Sequence, residues 1–203
     1  MHLNNDYRIR VLMRFWVLGV NVNISYFVNL YPAVSHTFIK REIAGIESMG
    51  WSIQRLSLRS GVGLVGQNDA EELGKTAVLL KQNPISIAVK ALWFAFNHPL
   101  RVLSTLCFAI SYSVMRGVSP PRIFAYVIEA ILVCIRCQQH KSEHLRVHLG
   151  GQGAVIARLA RRMGGPPFSI AYHGPDEFDA AHRWDFDGAV SESVFVTAIT
   201  HDC

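Results

Sequence analysis

Between Phe168 and Asp179 the chain writes a strand and then stops it abruptly. Phe168, Ile170 and Tyr172 alternate with Ser169 and Ala171, the period of an extended segment. Gly174 frees a turn, Pro175 suits a first helical position, and Asp176 and Glu177 stand where a helix dipole favours negative charge. His173 is therefore expected at the carboxyl end of a strand, at a strand-to-helix crossover. In open α/β sheets that edge is where ligands bind. Such a crossover leaves few folds open if the pattern repeats along the chain, and it does.

Ile24 to Asn29 reads as the first strand, ended by Tyr31-Pro32. Ser35 can cap a helix whose apolar stripe is Phe38, Ile39, Ile43, Ile46 and Met49, and Gly50 closes it. Trp51 to Leu58 is β-rich, which makes a β-α-β unit with parallel strands and a right-handed crossover. Gly61 to Gly66 is a flexible connector whose spacing departs from that of a dinucleotide loop, and Asp69 to Lys81 reads as a short helix. From Pro84 to His140 the pattern is helical, with Pro84, Pro99 and Pro121 each where a helix begins. These helices carry apolar residues over most of their surface, so each must be buried or rest on a membrane. Packing in a lid or core is the expected arrangement, and lipid contact the alternative.

The βα pattern then resumes. His144 to Leu149 is a strand, Gly150 to Gly153 a turn, and Ala154 to Met163 a helix closed by Gly164-Gly165. The strand ending at His173 follows, and after a polar stretch Val194 to Thr200 has the continuous apolar character of a buried parallel strand. The expected fold is α/β, a Rossmann-like parallel sheet with helices on both faces and a helical insert at about 84–140. It occupies residues 24–203, after a poorly patterned N-terminal extension at 1–23.

With 203 residues the chain supports one sizeable core. It is apolar for a soluble protein, 50% hydrophobic with a mean hydropathy of +0.22. Yet the most apolar region, Ile85 to Met115, is broken by Asn97-His98-Pro99 and Arg101, and each half is short for a bilayer crossing. Val11 to Val28 contains Arg14, Asn21 and Asn23 and lacks a small-residue cleavage site, which argues against a signal peptide. A net charge of +5 points to an anionic membrane surface or phosphorylated substrates. Nucleic acid is not expected, because no RNP-like, zinc-finger or basic-helix pattern is present. Four cysteines make no disulfide framework, and Cys134-x-x-Cys137 inside an apolar run reads as structural, so a reducing, cytoplasmic setting is expected.

His173 is the leading site candidate. His144 and His148, four apart on a strand, face the same side, and a three-histidine metal site with His173 is conceivable without further support. His148 alone, near the carboxyl edge, is the simpler polar lining of a cleft. Asp176, Glu177 and Asp179 are candidates for a general base or for binding hydroxyls, with helix N-terminal electrostatics as their alternative role. Ser35, His36 and Thr37 stand at the first βα turn, where hydroxyls and backbone N–H groups can meet an anion or simply cap the helix. Asp185-Phe-Asp187 reads as a solvated loop.

Several of these segments, in order, resemble one family. Tyr31-Pro-Ala-Val-Ser35-His36-Thr37-Phe38-Ile39-Lys-Arg41-Glu42-Ile43 is similar to the first βα signature of family-four retaining glycosyltransferases of the exopolysaccharide and colanic acid type. His144-Leu-Arg-Val-His148-Leu149 resembles their His-x-His-x-His-Phe strand, with Arg146 in place of the middle histidine and Leu149 in place of the phenylalanine. Pro167 to Phe178 resembles their Pro-Phe-Ser-x-Thr-x-His-Gly-x-Asp-x-Phe run, and Phe195 to Thr200 their late N-domain strand.

The resemblance implies the acceptor-side N-terminal domain of a GT-B enzyme, in which two Rossmann-like domains face a cleft. This sequence does not reach the nucleotide-sugar domain, so this stretch is expected to be inactive by itself unless a second polypeptide or downstream sequence supplies that half. His173 would lie beside the donor sugar and its phosphate. Ser35, His36 and Thr37 would line the cleft near the donor phosphates or the acceptor, and Asp176 and Glu177 would meet acceptor hydroxyls. The implied partners are a nucleotide-sugar and a lipid-linked or oligosaccharide acceptor in bacterial surface polysaccharide synthesis. No metal or other cofactor is implied, and the implied location is the cytoplasm, peripheral on the inner face of the membrane. The alternative from another class is a non-catalytic, membrane-associated module that binds a glycan or a partner.

Overall fold

A computed structural model of the chain describes residues 22–33, 36–61, 67–173 and 184–198. Its strands are β1 (Asn23–Leu30), β2 (Ser52–Arg59), β3 (Thr76–Val78), β4 (His144–His148), β5 (Phe168–Tyr172) and β6 (Val196–Ala198). They form one sheet in the order β3-β2-β1-β4-β5-β6, parallel throughout. The fold is α/β and Rossmann-like. Strand order reverses between β1 and β4, which makes their carboxyl ends the topological switch point.

The helices are α1 (Thr37–Ser48), α2 (Gln67–Lys75), α3 (Pro84–Asn97), α4 (Pro99–Arg116), α5 (Pro120–Gln139), α6 (Gly150–Arg162) and α7 (Phe186–Glu192). Right-handed crossovers put α1 and α2 on one face and the later helices on the other. The central strand shows both sides. Ile24, Tyr26 and Val28 pack with Ile39 and Ile43 of α1, while Phe27 joins Leu145, Val147 and the apolar faces of α5 and α6. Alternation of period two along β1 thus feeds two separate cores.

The helical insert divides by burial. Helix α5 buries Ile123, Val127, Ala130, Val133, Cys134 and Cys137 among others, so it is a core helix, with both cysteines buried in its packing face. A fully buried aliphatic or aromatic side chain contributes about 1.5–3 kcal/mol. Helix α3 fully buries Phe94, whereas Leu92, Trp93 and Phe96 stay exposed. Core packing therefore accounts for α5 and not for the outer faces of α3 and α4.

Three segments differ from expectation. The buried strand expected over Val194 to Thr200 is, among the described residues, the three-residue edge strand β6, with Thr197 and Ala198 exposed. The helix expected over Asp69 to Lys81 ends at Lys75, and Thr76–Val78 adds an edge strand to β2 before a 3-10 turn at Leu79–Lys81. Thr76 and Val78 are β-branched, and ladder hydrogen bonds to Arg55–Ser57 outweigh the helical continuation. The polar stretch before the last strand contains α7, and Asp185 is no solvated loop residue. Its carboxylate pairs with Arg116 and, at 2.7 Å, with Arg158, whose other nitrogen reaches Glu192 at 2.7 Å. These ion pairs draw α4, α6 and α7 together.

Candidate functional site

The alternation of β4 places His144, Arg146 and His148 on the α1 side of the sheet, with Leu145 and Val147 in the opposite core. His148 ends β4 and is fully buried, and its neighbour strand β5 ends one residue before His173. Register pairs His148 with Val28 and with Ala171, so the two histidines leave adjacent parallel strands at the switch point. His148 Nδ1 and His173 Nε2 are 3.0 Å apart, with the rings stacked at 5.2 Å and 15°. Tyr26 stacks on His148 at 5.4 Å, and Phe38 of α1 lies 4.5 Å from the His173 ring.

Glu42 completes the arrangement. It stands one helical turn beyond Phe38, on the same face of α1. Tyr26 donates its hydroxyl to Glu42 Oε1 at 2.9 Å, Arg146 Nε lies 3.5 Å from Oε1, and His148 Nε2 lies 3.5 Å from Oε2. At 3.5 Å the His148 contact is electrostatic, longer than a well-formed hydrogen bond, and His148 Nε2 has no hydrogen-bond partner among the described residues. Burial pushes the Glu42 carboxyl up, but His148, Arg146 and Tyr26 together outweigh it and hold the group down at about 2. Glu42 is thus a fixed anion. Burial first, then that anion, raises the Tyr26 hydroxyl far above its ordinary value, so Tyr26 remains a donor.

His173 is half-buried, and burial, reinforced by positive charge at His148 and Arg146, brings it down to about 4 against the opposing pull of Glu42. It is therefore neutral at pH 7. A 3.0 Å contact between two imidazole nitrogens holds one proton, because two facing N–H groups repel. Glu42 favours a proton on His148 Nε2. If His148 is neutral, its Nδ1 accepts from His173 Nε2–H. If His148 is cationic, it donates to His173 Nε2, and the proton of His173 sits on Nδ1 as a donor. Contacts from Glu42 to His148 and from His148 to His173 join the three groups, so that a proton on one bears on the others.

Of the other expected site residues, His36 is buried, stacks with Tyr31 at 6.1 Å and meets Phe38 edge-on at 6.3 Å, so it borders the same cluster. Burial lowers its affinity for a proton, and its Nδ1 has no hydrogen-bond partner among the described residues. His36 occupies the N-cap position of α1, where no side-chain cap bond forms, and Thr37 is the exposed first helical residue. Ser35, Asp176, Glu177 and Asp179 lie outside the described residues. His144 is not brought to the site. It shares the face of His148 but stands four residues away along the strand, about 13 Å at strand spacing. There it meets Ser169 Oγ at 2.8 Å and stacks on Phe195. A metal site of His144, His148 and His173 is thereby excluded by distance. Among the described residues no group of His, Cys, Asp and Glu is arranged to hold a metal ion.

Sequence reasoning about candidate sites missed Glu42, Tyr26 and Arg146. The spacing of Glu42 four residues after Phe38 was the available signal. A cavity of about 450 Å³ lies at the opposite, amino edge of the sheet, lined by Cys137, Lys141, Arg161 and the Gly164-Gly165 turn among others. It touches neither histidine, and the chemistry points to the carboxyl edge instead. Compared with known proteins, the chain matches no family model and no curated sequence.

Proposed function

We propose that this chain provides the acceptor-side domain of a retaining GT-B glycosyltransferase, moving a sugar from a nucleotide-sugar to a lipid-linked or oligosaccharide acceptor in bacterial surface polysaccharide synthesis. The observation that carries the reading is the Glu42–His148–His173 relay at the switch point of a parallel sheet. In glycosyl transfer the departing diphosphate gathers negative charge beside the sugar. A preplaced N–H aimed at that region stabilises the transition state without reorganisation. The relay supplies such a donor when the proton between the two rings belongs to His148 and that of His173 sits on Nδ1. Glu42, held as an anion, offsets positive charge on the imidazole pair. In this reading a nucleotide-binding domain, in the same polypeptide or another, completes the cleft and excludes water.

The test is incorporation of radiolabelled sugar from a panel of nucleotide-sugars into lipid-linked acceptor, with the nucleotide-binding half supplied. His173→Ala is expected to lower kcat/KM by about 100-fold or more, as for loss of one transition-state donor. Transfer at near-normal rate in that variant overturns the assignment of His173. A second reading, a non-catalytic module that rests on a membrane and holds a glycan or a partner, is favoured by the exposed apolar faces of α3 and α4. It expects glycan capture that His173→Ala leaves unchanged.

A further inference from the structure

The outer faces of α3 and α4 are apolar in a way that core packing does not explain. On α3, Ile85, Val89, Leu92 and Phe96 recur at helical spacing and are 72%, 58%, 71% and 86% exposed, with Trp93 beside them at 65%. On α4, Leu100, Leu103, Cys107, Ile110 and Val114 fall at alternating three- and four-residue steps, the spacing of one helical face, and all are exposed. The two helices are consecutive, joined through His98-Pro99, and pack on each other and on α5. An exposed apolar surface of this kind marks an interaction site.

Charge identifies the occupant. From Leu73 to Ile128 the sequence has no Asp or Glu, while Lys75, Lys81, Lys90, Arg101, Arg116 and Arg122 fall in that span. Lys75 is paired with Glu71 and Arg116 with Asp185. Lys81, Lys90, Arg101 and Arg122 form no ion pair with a described residue. A protein partner with ordinary mixed charge does not call for a surface free of acidic residues over so long a span. A bilayer with anionic headgroups does, because acidic side chains at its surface are repelled and basic ones attracted. Trp and Phe on the apolar face with Lys and Arg nearby is the composition of helices that lie in the interfacial plane. No described helix is long and apolar enough to cross a membrane.

We propose that the α3–α4 hairpin is a membrane-docking element that lies flat in the interface of an anionic bilayer, with Leu92, Trp93, Phe96, Leu103 and Ile110 among its buried contacts. The inference stands independently of the transferase reading.

The experiment is co-sedimentation of the full chain with phosphatidylcholine vesicles, with and without phosphatidylglycerol, at two salt concentrations. The expected result is binding that requires phosphatidylglycerol and weakens with salt. The triple variant Trp93→Glu, Phe96→Glu, Leu103→Glu should reduce partitioning by about tenfold or more while circular dichroism stays unchanged, since all three side chains are exposed. A second measurement needs no variant beyond Trp93→Phe: lipids brominated near the headgroup should quench tryptophan emission in the wild-type chain, and less so in Trp93→Phe. Two results overturn the proposal. One is wild-type chain that stays in the supernatant with every vesicle. The other is a wild-type chain that self-associates without lipid and is made monomeric by the triple variant, which would assign the face to a second copy.

Discussion

His148 is buried completely, yet its ring nitrogens reach a carboxylate on one side and a second imidazole on the other. Burial of this kind makes protonation state a matter of folding energy. His144 and His173 both have their affinity for protons reduced by burial first, each to about 4. In the unfolded chain they titrate near the ordinary 6.5. Between pH 6.5 and 4 the unfolded state therefore binds more protons, so stability is full above that window and falls as pH drops through it. For His144, partly exposed at the start of β4, the loss is at most of the order of 3 kcal/mol. Urea titrations at pH 7.5 and 4.5 are expected to show the loss, and His144→Phe, which keeps an aromatic surface against Phe195, is expected to shrink it. An equal loss in the variant would mean that His144 is not the titrating group. Glu42 acts lower, since its folded value of about 2 lies under the ordinary carboxyl range. Its contribution is present above pH 4.5 and disappears as pH falls toward 2.

At the scale of elements, α7 is a seven-residue helix too short to be stable alone, and its attachment is electrostatic as well as apolar. Arg158, with 4% of its side chain exposed, is matched by Asp185 and Glu192, so removing one acid leaves a buried cation unbalanced. Asp185→Asn is expected to cost about 3 kcal/mol in chemical denaturation. Asp187→Asn, at an exposed position on the same helix, should stay within about 0.5 kcal/mol. Equal small effects would mean that the ion pairs do not hold α7. Helix α6 meets the sheet through a different device. A Cβ on Gly150 would sit 2.2 Å from Tyr172 Cε1, so the start of the helix can approach the end of β5 only with glycine there. Gly150→Ala is expected to displace that ring at a cost of about 1–3 kcal/mol, read as a lowered denaturation midpoint.

At the scale of the molecule, the sheet was legible because parallel strands covered by helices need apolar runs bounded by turns. Ile24 to Asn29 shows such a run, His144 to Leu149 and Phe168 to Tyr172 show the alternation of period two instead, and the prolines at 84 and 99 marked helix starts directly. What the pattern did not reveal is what long-range contact decides. Thr76–Val78 becomes a strand only because β2 offers an edge, and α7 forms where Arg158 and Arg116 wait for Asp185. The same division holds at the site. His173 and His148 could be found because each ends a strand, and parallel register then brings them together. Glu42 reaches them from another layer, across α1; its spacing four residues after Phe38 marks a shared helix face but not the contact across layers. The insert shows the complementary case: its helices were legible, but only the structure separates the buried α5 from the exposed faces of α3 and α4.

If Glu42, His148 and His173 act as one coupled unit, ¹⁵N NMR of the imidazole side chains across pH 3 to 8 will register it. His173 is expected to titrate far below 6.5, toward about 4. His148→Gln is expected to move this titration up, by removing a neighbouring positive charge, and Glu42→Gln to move it further down, by removing the opposing negative one. A His173 that titrates near 6.5 and ignores both substitutions would contradict the relay, and with it the role proposed for this edge of the sheet.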